Sequence, residues 1–216
     1  MIAAILLALL LLGASVGARQ LADLRRLTDV APVSAADKVA VVIPARNEAA
    51  TLPKLLASLH SAPSAVAEVV VVDDGSTDGT FEAALSGGAE PIVVTKVPAG
   101  WTGKAWACHV GADATRADLL LFLDADTVLA PDAIPRLRAA HEEYGGLVSV
   151  QPYHEAHAPY EQLSAYFNAL SLMGSGEFAR RSAHRPMAYG PCLLTSRADY
   201  EGVGGHTGPD PESWTR

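Results

Sequence analysis

Two carboxylates one residue apart, Asp124 and Asp126, follow a run of five apolar residues, Leu119–Leu123. Apolar residues without polar alternation predict a strand that is buried on both of its faces. Residues two apart in an extended segment point to the same face, so the two carboxylates can share one hard cation, which prefers oxygen ligands. An Asp-rich turn without a ligand gives the same local pattern, so the interpretation depends on the groups that surround it.

Further polar groups follow the first two predicted strands. Asn47 and Glu48 come after the first strand, and Asp73 and Asp74 come after the second. The carboxyl ends of parallel strands share one edge of a sheet, where open α/β sheets bind ligands, so these groups can converge with the two aspartates. Such a cluster repels itself unless a cation or hydrogen-bond donors compensate it. A nucleotide offers both, because its base and ribose carry donors and a metal-bound diphosphate brings the cation.

The elements that must position these groups alternate along the chain. Apolar, β-branched runs predict strands, and leucines three or four residues apart between Gly, Pro and capping residues predict helices. The predicted strands cover residues 38–44, 66–72, 91–95, 119–123, 147–151 and 190–195. The predicted helices cover residues 49–60, 80–85, 131–144 and 160–173, with another entered from a loop within 100–115. This alternation predicts a mostly parallel α/β sheet flanked by helices.

The segment Gly100–Cys108 offers a place for a phosphate group. Glycines on both sides of Trp101 and Thr102 let the backbone approach a ligand, and Lys104 adds charge at the positive end of a helix. A diphosphate would be well placed there, although a solvated surface lysine gives the same pattern. Trp101 and Trp106 are as consistent with core packing as with stacking on a sugar.

The first eighteen residues carry no charge and are mostly Leu, Ile and Ala. As a helix they would be about 27 Å long, against a bilayer core of roughly 30 Å, so we expect a transmembrane anchor over residues 1–18. Arg19, Arg25 and Arg26 follow, and by the positive-inside rule they keep the next domain in the cytoplasm. Residues 19–37 are interpreted as an amphipathic juxtamembrane helix that runs into a linker. A cleaved signal peptide is the competing interpretation, but it lacks the usual basic start.

Composition limits the kinds of partner. The formal net charge of −8 and the pI near 5.3 argue against a nucleic-acid surface, which would need a basic stripe. The two cysteines, Cys108 and Cys192, form no Cys-x-x-Cys pair, so neither a disulfide framework nor a zinc site is indicated. No P-loop motif follows a strand, and no Gly-x-Gly-x-x-Gly follows the first one. Classical P-loop or dinucleotide binding is therefore disfavoured.

Three segments together resemble the amino-terminal blocks of family 2 glycosyltransferases of the GT-A fold: VVIPARNEAATLPKLLASL, VVVVDDGSTDGT and LLLFLDADT. The resemblance implies that residues 38–150 bind a nucleotide-diphosphate sugar, with Mg²⁺ or Mn²⁺ at Asp124 and Asp126. It implies donor contacts at a set of residues near the strand ends: Pro44, Arg46, Asn47, Glu48, Asp73, Asp74, Lys104 and Asp124. The segments GWTGKAWAC and VSVQPYH are similar to a membrane-bound subgroup associated with hopanoid and carotenoid glycosylation, which implies a lipid-like acceptor.

The region that approaches the acceptor in this family is residues 151–206, and it is expected to be incomplete here. Its candidate site residues are His154 and His206, together with Trp101, although a lone histidine is more often structural or exposed. The family usually carries an acidic base after a Gly-Gly motif, often in a Glu-Asp pair. Here the motif runs into an atypical tail, residues 207–216, without that pair. The sequence therefore assigns no base, and we expect a carboxyl-terminal part to be missing.

The sequence as a whole predicts an inverting glycosyltransferase at the cell membrane that moves a sugar to a hopanoid, carotenoid or related acceptor. Inversion needs one in-line attack with a base on the acceptor, and the metal carries the leaving diphosphate. A nucleotidyltransferase shares the layout and the carboxylates, but it would be expected to open on a Gly-rich basic loop, unlike Ala45–Glu48. An inactive, membrane-tethered remnant that binds nucleotide sugars is the alternative that is not an enzyme.

Overall fold

The computed structural model describes residues 2–33, 38–61, 64–153, 167, 170–174 and 188–207. The chain divides into two compact units: Met1–Asp29 with Tyr153–Ala188, and Val30–Pro152 with Tyr189–Arg216. We call the second the α/β unit, because it contains the sheet. It also contains every predicted site residue except His154, which lies outside the described residues.

The first unit contains the amino-terminal helix α1 (Ile2–Gln20). From there to residue 33 the chain forms turns and a short 3₁₀ helix, Leu27–Asp29, rather than the expected amphipathic helix. The Arg26 N–H binds the Asp29 carboxylate at 3.3 Å, and such local side-chain bonds compete with helix formation.

Among the described residues, no helix has both the length and the apolar character that a membrane crossing requires. The anchor over residues 1–18 stays a prediction. The predicted helix 160–173 falls largely outside the described residues. The described residues in this stretch, 167 and 170–174, are helical.

Six strands of the α/β unit form one sheet: β1 (Val39–Ala45), β2 (Val66–Asp73), β3 (Glu90–Val93), β4 (Leu119–Leu123), β5 (Leu147–Ser149) and β6 (Cys192–Ser196). Their spatial order is β3-β2-β1-β4-β6-β5. The strand β1 pairs in parallel with β2 and β4, and β2 pairs in parallel with β3. By contrast, β6 pairs antiparallel with β4 and β5. The predicted mostly parallel sheet is confirmed, with β6 running against its neighbours.

Among the described residues of the α/β unit, five helices accompany the sheet: α2 (Leu52–Leu59), α3 (Thr80–Ser86), α4 (Gly103–Ala114), α5 (Ala133–Tyr144) and α6 (Arg197–Gly202). Four leucines of α2 are buried, as their helical spacing predicts: Leu52, Leu55, Leu56 and Leu59. The helix α4 packs against β1 and β2. Gly111 allows this close approach, because a Cβ atom there would overlap Val42 Cγ1.

The register of the parallel strands brings the predicted site segments to one edge of the sheet. Ala45 at the end of β1 pairs with Asp73 at the end of β2. On the other side of β1, Val42 pairs with Phe122 near the end of β4. The chain therefore leaves β1, β2 and β4 at the same edge, which is where ligands bind in open α/β sheets.

The short helix α6 was not predicted. Its start is capped by Ser196, whose hydroxyl accepts a hydrogen bond from the Asp199 N–H at 3.0 Å. A Ser followed three residues later by an acidic residue is close to a capping box, and it is the signal that could have revealed this helix. The helix matters for the site because it carries Tyr200.

Candidate active site

A cleft of about 320 Å³ opens at the carboxyl edge of β1, β2 and β4. We call it the strand-end cleft. It is lined by residues that the sequence analysis singled out: Pro44, Arg46, Glu48, Asp74, Lys104, Asp124 and Asp126. They come from four separate segments, so the fold assembles in one place what is scattered in the sequence.

Asn47 and Asp73 do not line the strand-end cleft but hold the loops that form it. Asn47 has a left-handed backbone with φ of 56°, and its side-chain oxygen accepts a hydrogen bond from the Thr77 N–H at 2.9 Å. The buried Asp73 carboxylate accepts a hydrogen bond from the Ser76 N–H at 2.8 Å. The Asn47 bond joins the loops after β1 and β2, and the Asp73 bond fixes the loop after β2. Direct donor contacts at both residues stay a prediction.

Arg46 and Asp74 bring opposite charges to the wall of the cleft. Arg46 Nη1 lies 3.6 Å from Asp74 Oδ2, and the two side chains are 66% and 17% exposed. The Glu48 carboxylate accepts a hydrogen bond from the Thr51 hydroxyl. A shielded carboxylate beside an exposed guanidinium suits a ligand that carries both hydrogen-bond donors and negative charge.

The amino terminus of α4 adds a cation to the cleft. Thr102 caps the helix, since its hydroxyl accepts a hydrogen bond from the backbone N–H three residues later at 3.3 Å. Lys104 Nζ lies 2.5 Å from Asp124 Oδ1. The Asp74 carboxylate packs over Gly103, where a Cβ atom would overlap it. A helix start with a lysine favours anions, so a diphosphate is a suitable ligand.

Asp124 and Asp126 lie on the turn that follows β4. The Asp124 N–H donates a hydrogen bond to the Pro191 carbonyl at 3.0 Å, and the Asp124 carbonyl accepts one from the Thr127 N–H at 3.0 Å. The Asp126 side chain is exposed. Carboxylate oxygens are the ligands that Mg²⁺ and Mn²⁺ prefer, so this pair fits the predicted metal if a ligand supplies further oxygens. Among the described residues, no three His, Cys, Asp or Glu side chains form a metal site on their own.

A second cavity, of about 350 Å³, adjoins the cleft and shares Pro44, Lys104 and Asp124 with it. We call it the inner cavity. Its remaining walls include apolar side chains and one imidazole: Cys108, Phe122, Leu123, Leu193 and His206. Both cysteines are free and buried, and burial raises the pKa of the Cys108 and Cys192 thiols to about 12. Neither thiol is therefore a nucleophile at neutral pH.

The family model for "Glycosyl transferase family 2" matches residues 40–204. The chain belongs to this family. The match begins within β1 and ends just after α6, so it covers the strand-end cleft and the lining of the inner cavity except His206. The predicted family is thereby confirmed. The alternative of a nucleotidyltransferase is thereby set aside.

Two curated relatives share the name 4,4'-diaponeurosporenoate glycosyltransferase. The protein from Staphylococcus haemolyticus is 43% identical over 176 residues, which cover 78% of this chain and 46% of the relative. The protein from Staphylococcus aureus is 39% identical over 175 residues, which cover 77% of this chain and 46% of the relative. The chain thus spans about half the length of the curated relatives it matches.

Solved structures show the same fold. The mannosyltransferase PcManGT from Pyrobaculum calidifontis, in complex with GDP-Man and Mn²⁺, has a TM-score of 0.60 at 24% identity and matches 95% of this chain and 59% of that one. Mannosyl-3-phosphoglycerate synthase from Rubrobacter xylanophilus has a TM-score of 0.52 at 25% identity and matches 74% and 54% of the two chains. The GT-A-like fold predicted for this family 2 chain is thereby supported.

The residues predicted on the acceptor side of this family 2 chain lie in different places. Trp101 packs edge-to-face on Trp106, with ring centroids 5.1 Å apart, and both rings lie against His109. Neither tryptophan lines the strand-end cleft or the inner cavity. In the structure, the two tryptophan rings pack on each other and on His109. His206 does line the inner cavity, whereas His154 lies outside the described residues.

Sequence reasoning missed one contact and one residue that shape this site: the contact of Gly103 with Asp74, and Tyr200. Gly103 leaves room for the Asp74 carboxylate, and its signal is a glycine between a capping threonine and a lysine at a helix start. Tyr200 contacts His206, with its hydroxyl 3.0 Å from Nδ1. Its position in a six-residue helix gave no periodic pattern, so its role emerges only from the fold.

Proposed function

We propose that this chain is the nucleotide-sugar-binding part of an inverting glycosyltransferase that acts on a lipid-like acceptor. The strand-end cleft carries the proposal, because it joins Lys104 at a helix start to the carboxylates of Asp74, Asp124 and Asp126. A nucleotide-diphosphate sugar satisfies both kinds of group, with donors on the nucleoside and negative charge on the diphosphate. Membership of family 2 supports the same class of reaction.

Each group in the cleft has a role in this proposal. Asp74 and Glu48 accept hydrogen bonds from the nucleoside, and Lys104 with the first N–H groups of α4 binds the diphosphate. Asp124 and Asp126 would hold Mg²⁺ or Mn²⁺, which when bound offsets the charge of the leaving diphosphate. Lys104 places a second positive charge at the same point, and a preorganised charge stabilises the leaving group without a proton transfer.

The acceptor in this proposal is a carotenoid-like or hopanoid-like lipid. Support comes from the staphylococcal relatives, which are named for 4,4'-diaponeurosporenoate. We also propose that residues 1–18 anchor the chain in the cell membrane with the α/β unit on the cytoplasmic side. The uncharged helix and the arginines after it support this placement.

Isothermal titration calorimetry with UDP-glucose and GDP-mannose tests donor binding in Mn²⁺, in Mg²⁺ and in EDTA. We expect one of these donors to bind about tenfold or more tightly with a divalent ion than in EDTA, because ion and diphosphate complete each other's coordination. Linkage requires the donor to tighten ion binding by the same factor. If neither donor binds with either ion, the proposed function is wrong. Equal affinity with and without EDTA would overturn the metal assignment alone.

Turnover separates an enzyme from a binding remnant. We expect the purified chain to release nucleotide diphosphate from its donor, by hydrolysis or by transfer to a carotenoid-like lipid. The Asp126→Ala variant should lose this release, because the charge of the leaving group is no longer offset. Tight donor binding without any release would favour the remnant.

A further inference from the structure

The inner cavity is the first space that a bound donor would reach beyond its diphosphate. It shares Pro44, Lys104 and Asp124 with the strand-end cleft, and Lys104 and Asp124 are the groups that the proposed function assigns to diphosphate and metal. In a nucleotide-diphosphate sugar the sugar is bonded directly to the terminal phosphate. A diphosphate at Lys104 therefore brings its sugar to the mouth of the inner cavity.

His206 reaches the inner cavity through a turn that fits closely on Tyr200. Gly204 and Gly205 both have left-handed backbones, with φ of 82° and 62°. The Gly205 N–H donates a hydrogen bond to the Tyr200 carbonyl at 2.7 Å, and a Cβ atom on Gly205 would lie 2.7 Å from Tyr200 Cζ. Only glycine combines this backbone with this contact. The turn holds the His206 ring 4.8 Å from the Phe122 ring, centroid to centroid.

The Tyr200 hydroxyl lies within hydrogen-bond distance of one ring nitrogen of His206. The Tyr200 hydroxyl accepts a hydrogen bond from the His206 backbone N–H at 3.3 Å and lies 3.0 Å from Nδ1. Burial raises the pKa of Tyr200 to about 12, so the phenol keeps its proton and can donate a hydrogen bond to Nδ1. Burial, with His109 and Lys104, lowers the pKa of His206, so its imidazole is neutral at pH 7. A neutral ring that accepts at Nδ1 carries its proton on Nε2.

We propose that the inner cavity receives the sugar of the donor, and that His206 Nε2–H donates a hydrogen bond to one sugar hydroxyl. His206 is then a specificity-determining residue, and Tyr200 is a positioning residue that fixes its tautomer. Within the described part of the chain, Nε2 has no hydrogen-bond partner, whereas Nδ1 is occupied by Tyr200. The apolar walls at Phe122 and Leu193 leave this N–H as a directional polar contact for a sugar. The inference rests on the proposed function, because it needs the diphosphate at Lys104.

Paired calorimetry with the nucleotide and its sugar conjugate separates sugar contacts from nucleotide contacts. The probes are UDP against UDP-glucose and GDP against GDP-mannose, in Mn²⁺, with wild type, His206→Phe and His206→Gln. The Phe variant keeps a ring against Phe122 but removes the donor, so the sugar conjugate should bind about two- to tenfold more weakly, as for one neutral hydrogen bond. The affinity for the bare nucleotide should not change. This unchanged affinity is the control which shows that the strand-end cleft is still folded in the variant. The Gln variant keeps an N–H donor and should recover part of the loss.

The tautomer is tested separately with Tyr200→Phe, which keeps the ring and removes the hydroxyl. The ¹⁵N shifts of the His206 ring should show Nε2–H in the wild type and a mixture of tautomers in the variant. In calorimetry, the affinity difference between the sugar conjugate and the bare nucleotide should be smaller in the variant than in the wild type. An equal loss of UDP and UDP-glucose in His206→Phe, or no loss of either, would overturn the inference while the proposed function stands. Absence of nucleotide binding in the wild type would instead overturn the proposed function, and the sugar contact with it.

Discussion

Among single residues, Lys104 pairs with Asp124, one of the two carboxylates that would hold the proposed metal. Lys104 Nζ lies 2.5 Å from Asp124 Oδ1. The lysine therefore repels a cation that approaches Asp124, and the cation binds more readily when the lysine is absent. In the Lys104→Met variant we expect Mn²⁺ to bind about two- to fivefold more tightly without nucleotide, the range for a surface ion pair. The donor should bind more weakly, because its diphosphate loses a positive partner. Electron paramagnetic resonance of free Mn²⁺ measures the first effect, and calorimetry measures the second.

The matched control is Lys54→Met, which removes the same charge from an exposed position on α2. Lys54 is not part of the strand-end cleft, so both affinities should stay at the wild-type values. Weaker Mn²⁺ binding in Lys104→Met, without nucleotide, would contradict competition between lysine and metal at Asp124.

Asp126 differs from its neighbour Asp124 because its side chain is exposed. The Asp126→Asn variant keeps the shape of the side chain and removes one charge, so folding should not change. Donor binding in Mn²⁺ should weaken by about tenfold or more, since donor and ion affinity are linked. Calorimetry and thermal unfolding of the same sample check the two halves of this expectation. A large loss of thermal stability would assign Asp126 to the fold instead.

Among the elements, the start of α3 is tied to the loop after β1 by Asp78. Its carboxylate accepts hydrogen bonds from the Thr80 hydroxyl at 2.5 Å, the Thr80 N–H at 3.0 Å and the Ala49 N–H at 3.2 Å. The bond from the Thr80 hydroxyl contributes most to lowering the pKa of Asp78 from its ordinary value of 3.8. The stabilisation is therefore complete above about pH 3.8 and is lost as the pH falls through the lower, folded value.

For Asp78→Asn we expect a lower urea midpoint at pH 7 than in the wild type, and a smaller change of midpoint between pH 7 and pH 3. Donor affinity should change less than stability, the reverse of Asp126→Asn. Equal pH dependence in wild type and variant would show that the Asp78 carboxylate does not supply this stabilisation.

The contact between α4 and the sheet depends on Gly111. A Cβ atom there would overlap Val42 Cγ1 and would lie 3.1 Å from Val72 Cγ2, so Gly111→Ala must push α4 away from the sheet. We expect the free energy of unfolding to fall by about 1–3 kcal/mol, as for other overpacked cores. Donor affinity should fall as well, because α4 carries Lys104. The control is Gly202→Ala at the end of α6, where a Cβ atom meets open space. Urea denaturation measures both variants.

The sequence predicted most elements because their patterns are local. The apolar run at β4 and the buried leucines of α2 appear where their periodicities place them. The order of β5 and β6 is not local, since β6 inserts between β4 and β5 through pairings that only the tertiary fold sets. The six-residue helix α6 is too short to show a period, so its capping serine was the available sign.

In the molecule as a whole, the convergence of Arg46, Asp74 and Asp126 on one cleft followed from a parallel sheet. Other features of the site depend on distances that no spacing encodes. The pairing of Lys104 with Asp124 requires the placement of α4 against β4. The donor contact at Asn47 stays a prediction, and the bond that its side-chain oxygen accepts from the Thr77 N–H depends on the loops after β1 and β2 being neighbours. The sequence therefore predicted which segments meet at the cleft better than the partners of each side chain.

At the scale of the whole chain, we expect the amino-terminal helix α1 to act as a membrane anchor. Leu7, Leu11 and Leu12 have exposed fractions of 57%, 62% and 60%, and exposed apolar patches of this kind mark contacts with lipid or protein. We expect the full chain to stay with bacterial membranes after carbonate extraction, and the chain without residues 2–18 to be released. Donor affinity should be the same for both, because the strand-end cleft lies in the α/β unit.

The orientation of this anchor follows from Arg19, Arg25 and Arg26, which by the positive-inside rule stay in the cytoplasm with the residues after them. Protease added to intact spheroplasts should leave the α/β unit whole, and detergent should expose it to digestion. Replacing the three arginines by Gln should weaken this protection, whereas Lys replacements should keep it, because the rule depends on positive charge. Release of the full chain by carbonate would exclude a spanning helix over residues 1–18. Digestion in intact spheroplasts would place the α/β unit on the opposite side.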